Sequence, residues 1–157
     1  MTILRLVRGA SVLGVLLWGL ATAEGQEKKI QRSDLPPAVE KTVAEQSKGA
    51  TIRGFSSEIE NGKTLYEAEM TVQGHSKDVS MDENGKIVEV EEQVAMASLP
   101  TQVREGLQAK AGNGKIGKIE SLTKNGKVAA YEAKVVKNGK RSEIQVGPDG
   151  KPLDHEE

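Results

Sequence analysis

The chain has 157 residues, of which 36% are hydrophobic and 29% charged, and its formal net charge is −1. It contains no cysteine, which excludes disulfide frameworks, thiolate metal sites and cysteine nucleophiles. Its two histidines, His75 and His155, are too few for a histidine-based metal centre and lack the surroundings of a serine–histidine catalytic site. The composition therefore favours a small non-enzymatic protein, and we expect no cofactor and no metal site.

The first 23 residues have the pattern of a secretory signal peptide. Arg5 and Arg8 precede an uncharged stretch that ends in Ala21-Thr22-Ala23. This stretch is shorter than the ~20 residues that a membrane-spanning helix needs, so cleavage before Glu24 is predicted and an uncleaved anchor is the alternative. We expect a secreted or periplasmic protein with no membrane span after cleavage, in which residues 24–33 form a flexible polar leader.

The remainder of the chain is interpreted as an internal duplication. The segment Leu35-Pro36-Pro37-Ala38-Val39 returns 64 residues later as Leu99-Pro100-Thr101-Gln102-Val103. Three further matches follow in the same order: Asn61-Gly62-Lys63 with Asn125-Gly126-Lys127, Tyr66-Glu67-Ala68 with Tyr131-Glu132-Ala133, and Asn84-Gly85-Lys86 with Asp149-Gly150-Lys151. We call residues 34–97 unit 1 and residues 98–157 unit 2, the latter ending in an acidic tail.

Each unit is predicted to contain one helix followed by four short strands. Leu35, Val39 and Val43 recur at helical spacing in unit 1, and the equivalent stripe in unit 2 makes Leu107 the counterpart of Val43. Within each unit, Asn-Gly, Gln-Gly or Asp-Gly pairs then recur every 11 to 13 residues, with Gln73-Gly74 as the middle pair of unit 1, which indicates the tight turns of a meander. The predicted fold class is α+β, with two tandem units that each pack a helix on a four-stranded antiparallel meander sheet.

Alternation along the strands predicts which side chains are buried. Tyr66, Ala68 and Met70 alternate with Glu67 and Glu69, so the first set is assigned to the core and the second to the opposite face. The apolar face is extended to Val88 and Val90 on the fourth strand, and to Tyr131 in unit 2. A break of phase in the first strand of each unit predicts a β-bulge near Gly54 and Gly117.

The same parity brings five carboxylates to the outward face of unit 1, and we predict that they contact a partner. They are Glu67, Glu69, Asp78, Glu89 and Glu91. Residues 34–93 hold 13 acidic and 6 basic residues, a net charge of −7, whereas residues 98–153 hold 5 and 11, a net charge of +6. The charge asymmetry indicates a basic or cationic partner for unit 1, although drift of a solvated surface after duplication would also produce it.

The order of these motifs resembles the PepSY-like family, also described as beta-lactamase-inhibitor-like. The resemblance rests on Leu35-Pro36-x-x-Val39, Tyr66-Glu67-Ala68-Glu69, Met81-Asp82-Glu83-Asn84-Gly85-Lys86 and Val88-Glu89-Val90-Glu91. Unit 2 repeats the order but has Lys134 for the second glutamate and Pro148 before Asp149. The resemblance implies an extracytoplasmic, non-catalytic protein whose sheet binds or inhibits another protein.

The predicted function is therefore a secreted or periplasmic binding module with a protein or peptide partner, and inhibition or modulation of an extracytoplasmic enzyme or peptidase is the role that the resemblance implies. The alternative is a cation-binding envelope protein that uses the acidic face of unit 1. The segment Asp82-Glu83-Asn84-Gly85 faintly resembles a calcium loop, but it lacks the further ligands, so a hairpin turn is the better interpretation. Nucleic acid is not an expected partner because Tyr131 is assigned to the core, which leaves no aromatic platform for bases. The oligomeric state is left open.

Overall fold

The computed structural model describes residues 27–153. The predicted signal peptide, most of the leader before Lys28 and the acidic tail with His155 lie outside these residues. The described part contains two helices, α1 (Pro37–Gln46) and α2 (Thr101–Ala111). It also contains eight strands: β1 (Lys28–Ile30), β2 (Ala50–Glu60), β3 (Lys63–Val72), β4 (His75–Asp82), β5 (Ile87–Val94), β6 (Lys115–Lys124), β7 (Lys127–Lys137) and β8 (Lys140–Val146).

All eight strands form one open antiparallel sheet in sequence order, so the predicted α+β class and the meander are confirmed. The expected pair of separate four-stranded sheets is not what the structure has. Strand β5 pairs with β6 from Glu89 opposite Lys124 to Val94 opposite Ile119, and this pairing joins the two units. Each strand thereby provides hydrogen-bond partners for backbone groups that the other would otherwise leave unpaired at a sheet edge.

The fourth strand expected in unit 2 is not formed. After β8 the chain turns, with the Gly147 amide donating to the Lys151 carbonyl over 2.8 Å, and residues up to Leu153 pair with no strand. Pro152 stands here, and a proline cannot donate a ladder hydrogen bond. Unit 2 therefore contributes β6, β7 and β8 to the sheet.

Part of the predicted flexible leader is ordered. Residues Lys28–Ile30 pair with Phe55–Ser57 of β2, and a 3₁₀ turn follows at Arg32–Asp34. The leader prediction is wrong for these residues because Ile30 packs against the unit 1 core. One apolar side chain in a polar segment gives no periodicity from which to predict a strand.

Both helices pack on the same face of the sheet through the predicted stripes. Val39 and Val43 of α1 are fully buried with Met70, and Val103 and Leu107 of α2 are fully buried with Ala133. Tyr66 and Tyr131 are partly buried against these two cores, as the alternation predicts.

Two glycine turns hold the helices in place. Gly85 lies so close to α1 that a Cβ atom there would overlap the Ala38 carbonyl oxygen, and a Cβ at Gly150 would overlap the Gln102 carbonyl of α2. The Thr42 hydroxyl also donates to the Gly85 carbonyl over 2.7 Å. The predicted duplication aligns Gly85 with Gly150 and Ala38 with Gln102, so the two contacts lie at equivalent positions of that alignment.

Bulges decide which side chains reach the other face. The register shifts between Ile52 and Gly54 and between Ile116 and Ile119 confirm the two predicted bulges. A third shift, where Met81 pairs with Ile87 while Ser80 pairs with Glu89, leaves Val88 as the extra residue. The assignment of Val88 to the core is wrong, since Val88 lines a groove with Glu89 and Glu91 on the helix-free side.

Candidate functional site

The candidate site is the sheet face opposite α1 and α2, which we call the open face. No described helix covers it, yet Ser56, Glu120 and Leu122 on this face are no more than 3% exposed. These residues lie on interior strands, where side chains of the neighbouring strands cover them. Glu120, for example, contacts Ser76 of β4 and Lys118 of β6.

The five predicted carboxylates lie together on this face. The strand register aligns Glu69, Asp78 and Glu91 across β3, β4 and β5, and it aligns Glu67 and Glu89 on either side of Ser80. All five side chains are half-buried, whereas the alternation predicts solvated ones.

Three of the five carboxylates are already paired with cations. Asp78 Oδ1 lies 3.2 Å from the Arg53 guanidinium, and Glu89 Oε2 lies 3.2 Å from Lys124 Nζ. Glu69 accepts a hydrogen bond from the Lys29 ammonium on β1. These pairs keep part of the negative charge of unit 1 neutralised within the chain.

Glu67 and Glu91 form no ion pair within residues 27–153. Burial and the nearby Asp78 carboxylate raise the pKa of Glu67 to about 7. Burial and the neighbouring Glu89 and Glu120 carboxylates raise the pKa of Glu91 to about 8. A raised pKa means that the surroundings oppose the charge, so a cation placed here would favour ionisation of both groups.

A groove of about 340 Å³ lies at these two residues. Its lining combines carboxylates and apolar side chains with one cation, Lys124, which pairs with Glu89. The carboxylates of Glu67 and Glu91 remain for a long basic side chain with an aliphatic stem. The lining residues are Glu58, Glu60, Leu65, Glu67, Ser80, Val88, Glu89, Glu91, Lys124 and Asn125.

The seam between β5 and β6 carries a residue that is not among those predicted from the sequence. Glu120 is 3% exposed, and its Oε1 accepts hydrogen bonds from Lys118 Nζ at 2.6 Å and from the Ser76 hydroxyl at 3.1 Å. Carboxylate oxygens of Asp78, Glu91 and Glu120 lie within 4.8 Å of one another. Parity alone would place Glu120 on the open face, but only the β5–β6 pairing brings it beside unit 1.

At the corresponding positions in unit 2, one carboxylate forms an ion pair and another accepts a hydrogen bond from a neutral amide. Lys134 Nζ lies 3.2 Å from Glu143 Oε1, and the Gln145 side-chain amide donates to Glu132 over 3.0 Å. Burial raises the pKa of Glu132, while the Gln145 hydrogen bond opposes this shift. The carboxylates of the open face with raised pKa values and no ion pair in the described residues are therefore Glu67 and Glu91 in unit 1 and Glu132 in unit 2.

The turn that resembles a calcium loop is a hairpin turn. The Gly85 amide donates to the Asp82 carbonyl over 2.9 Å, and Asp82 Oδ1 accepts hydrogen bonds from the amides of Asn84 and Lys86.

His75 is exposed at the start of β4. Neither of the helices in the described residues has the length and apolar character needed to cross a membrane.

No family model and no curated protein sequence matches the chain. Among solved structures, a DUF2874 family protein from Bacteroides ovatus is similar, with 18% identity, a TM-score of 0.59 and an alignment that covers 76% of this chain and 85% of that one. A BLIP-like protein (BF1215) from Bacteroides fragilis has 19% identity and a TM-score of 0.56, over 76% and 83% of the two chains.

A third structure, a protein from Bacteroides eggerthii provisionally described as periplasmic, has 15% identity and a TM-score of 0.61 over 76% and 86% of the chains. At these identities the likeness is one of fold. The chain has the fold of a BLIP-like protein, which confirms the beta-lactamase-inhibitor-like resemblance at the level of architecture.

Proposed function

We propose that this protein is a non-catalytic, extracytoplasmic binding module that holds a basic segment of a protein or peptide on the acidic part of its open face. One observation carries the proposal. Glu67 and Glu91 line a groove, have raised pKa values and have no cation partner among the described residues. A lysine or arginine from a partner would supply the missing charge.

The extracytoplasmic location is inferred from the signal-peptide pattern of residues 1–23, and the Bacteroides eggerthii neighbour supports it. The tandem PepSY-like interpretation, with residues 34–97 and 98–157 as its units, is part of the same proposal. The fold shared with a BLIP-like protein makes an extracytoplasmic enzyme or peptidase the partner class to examine first, by analogy of fold. The mature chain would then inhibit or modulate that partner.

The charges of the open face contribute more to the rate and selectivity of binding than to the strength of the complex. Exposed ion pairs are individually worth about 0–1 kcal/mol, whereas complementary fields accelerate association and select partners. We therefore expect the five carboxylates to govern the rate and selectivity of binding more than the lifetime of the complex.

Affinity capture from envelope extract tests the proposal. The bait is the mature chain, and the variant Glu67→Lys/Glu69→Lys/Glu89→Lys reverses three charges of the open face. A matched control, Glu45→Lys/Glu83→Lys/Glu105→Lys, makes the same change in net charge at exposed positions away from that face. The proposal predicts a protein that the wild type and the control capture and the open-face variant loses. A protein captured equally by all three baits, or none captured by the wild type, would contradict it.

The cation-binding alternative is favoured by the three carboxylates at the seam, Asp78, Glu91 and Glu120. A divalent cation would have to compete with Arg53 at Asp78 and with Lys118 at Glu120. Calorimetric titration with Ca²⁺ separates the two functions. Saturable binding that Asp78→Asn abolishes would establish the alternative, and the absence of heat would leave the protein partner as the function of this face.

A further inference from the structure

We infer that a groove on the open face of unit 2 binds an acidic side chain from a protein or peptide segment, with Arg141 as the cation and Val136 as the apolar contact. The groove has a volume of about 490 Å³, and its lining also includes Gly117 of β6, Lys134 of β7 and Glu143 of β8. This site goes beyond the function proposed for the acidic part of the open face and does not depend on it.

The strand register places a cation on each side of an exposed valine. Val136 of β7 lies opposite Lys115 of β6 and opposite Arg141 of β8. Residues that are directly opposite share a face of the sheet, and Val136 has the parity of Lys134, so this row lies on the open face. Val136 is 44% exposed, both cations are exposed, and neither forms an ion pair within residues 27–153.

Comparison with unit 1 explains why the groove is open. The predicted duplication aligns Gly117 with Arg53, and both residues lie at the bulge in the first long strand of their units. In unit 1 the Arg53 guanidinium reaches Asp78 at 3.2 Å, so its side chain extends over that part of the open face. Gly117 has no side chain, and the equivalent space beside Lys134 is left unfilled.

The next pair of opposite residues also differs between the units. Unit 1 has Thr71 opposite Ser76, whereas the aligned positions of unit 2 hold Val136 opposite Arg141. Small polar side chains are thus replaced by an apolar side chain and a cation. Within the described part of the chain, unit 2 therefore combines an open groove, an apolar contact surface and an unpaired guanidinium at positions where unit 1 does not.

The charges along the groove favour a carboxylate over a polyanion. Lys134 pairs with Glu143 at 3.2 Å, which leaves the Arg141 guanidinium for a ligand. A guanidinium can bind one carboxylate through two parallel hydrogen bonds. The carboxylates of Glu143 and Glu132 would repel a chain of phosphates, and Val136 offers a contact to an apolar residue beside the acid. The occupant is therefore an acidic residue next to an apolar one in a protein or peptide segment.

A titration followed by NMR tests the inference. The probe is the blocked peptide acetyl-Gly-Leu-Glu-Leu-Glu-Gly-amide, and the matched peptide has glutamine in place of both glutamates. We expect the first peptide to cause saturable shifts at the amides of Gly117, Val136 and Arg141–Glu143 of the mature chain. We expect Arg141→Gln to weaken its binding about three- to tenfold. The control Lys41→Gln makes the same change in net charge on the exposed side of α1 and should leave binding unchanged.

A second variant tests the groove separately from its charge. Gly117→Gln places an uncharged side chain where unit 1 has Arg53. An added Cβ at Gly117 has the Lys134 carbonyl oxygen as its nearest neighbour, at 3.4 Å, so we expect the variant to fold, which its NMR spectrum checks. The side chain should fill the groove and weaken binding at least about fivefold with the net charge unchanged.

Three results would overturn the inference. Equal affinities for the two peptides would show that the carboxylates are not recognised. Weaker binding by Arg141→Gln but not by folded Gly117→Gln would show attraction to surface charge without a groove. Tripolyphosphate, titrated in parallel, could shift the same amides at lower concentration than the peptide, which would make a polyanion the occupant.

Discussion

Glu67 and Glu91 are acidic side chains in surroundings that oppose their charge. Their raised pKa values have the same two causes, burial on the open face and the nearness of other carboxylates. The groups are neutral in acid and become charged as the pH rises through about 7 for Glu67 and about 8 for Glu91. Folding keeps protons on them that the unfolded chain would release, so these groups link stability to pH.

The first prediction concerns this linkage. A carboxyl group whose pKa is raised by folding contributes stability that is complete below the unfolded value and is lost as the pH rises through the folded value. The free energy of unfolding should therefore fall between about pH 4.5 and pH 8. Allowing for partial exposure, Glu67→Gln should recover on the order of 1 kcal/mol at pH 8 and little at pH 4.5.

Urea unfolding at pH 4.5, 7 and 8 measures this effect. The control Glu105→Gln changes an exposed carboxyl group on α2 and should leave the pH profile as in the wild type. A Glu67→Gln profile with the same slope as the wild type would show that the open face does not oppose ionisation.

At the scale of elements, the contact between each helix and a glycine turn gives a prediction with an internal control. Gly150 has φ +78° and no space for a side chain, whereas Gly62 has φ +75° with no heavy atom within 4 Å of an added Cβ. Gly62→Ala should cost about 1–2 kcal/mol, the strain of the left-handed conformation. Gly150→Ala should cost more, because the Cβ also displaces α2 at Gln102. Equal losses of unfolding free energy in urea would mean that the turn does not hold the helix.

The helix stripes give the next prediction. Leu107 is fully buried between α2 and the sheet, so Leu107→Ala should lower the free energy of unfolding by about 2–5 kcal/mol. The control is Val136 on β7, which is 44% exposed. Val136→Ala should change the free energy of unfolding by less than about 0.5 kcal/mol. Denaturant unfolding curves check both. A Leu107→Ala curve that overlaps the wild type would contradict the assigned helix face.

Local patterns predict these elements because their causes lie within a few residues. Helical spacing identifies Val39 and Val43, and the Asn-Gly pairs identify turns in which Asn61 and Asn125 have positive φ. The position of Glu120 depends on contacts between distant strands. It follows from the β5–β6 pairing, which leaves no periodic signal in either strand.

The same limit applies to the candidate site. Parity predicts correctly that all five acidic residues share a face, since it needs only the alternation of each strand. It does not predict their half-burial, because that depends on the side chains that neighbouring strands place around them. Nor does it predict which carboxylates are paired, since Arg53 and Lys124 reach Asp78 and Glu89 from other strands.

At the scale of the whole molecule, one sheet joins an acidic half and a basic half. The β5–β6 pairing couples the two helix-covered cores, so we expect a single cooperative unfolding transition. Tyr66 reports on unit 1 and Tyr131 on unit 2, and their ring resonances should disappear at the same urea concentration. Leu107→Ala should shift both midpoints together. Two separate midpoints would show that the units fold independently.

The central claim is that the acidic part of the open face recruits a basic partner. The most direct test is the rate of association with the captured protein at low and at physiological salt, for the wild type, Glu67→Lys/Glu69→Lys/Glu89→Lys and the matched control Glu45→Lys/Glu83→Lys/Glu105→Lys. Circular dichroism first establishes that each variant is folded. We expect the open-face variant to associate at least about tenfold more slowly at low salt, a difference that salt reduces, while the control stays within about threefold of the wild type. Equal rates for the two variants would contradict the claim, because the effect would then depend on net charge and not on the open face.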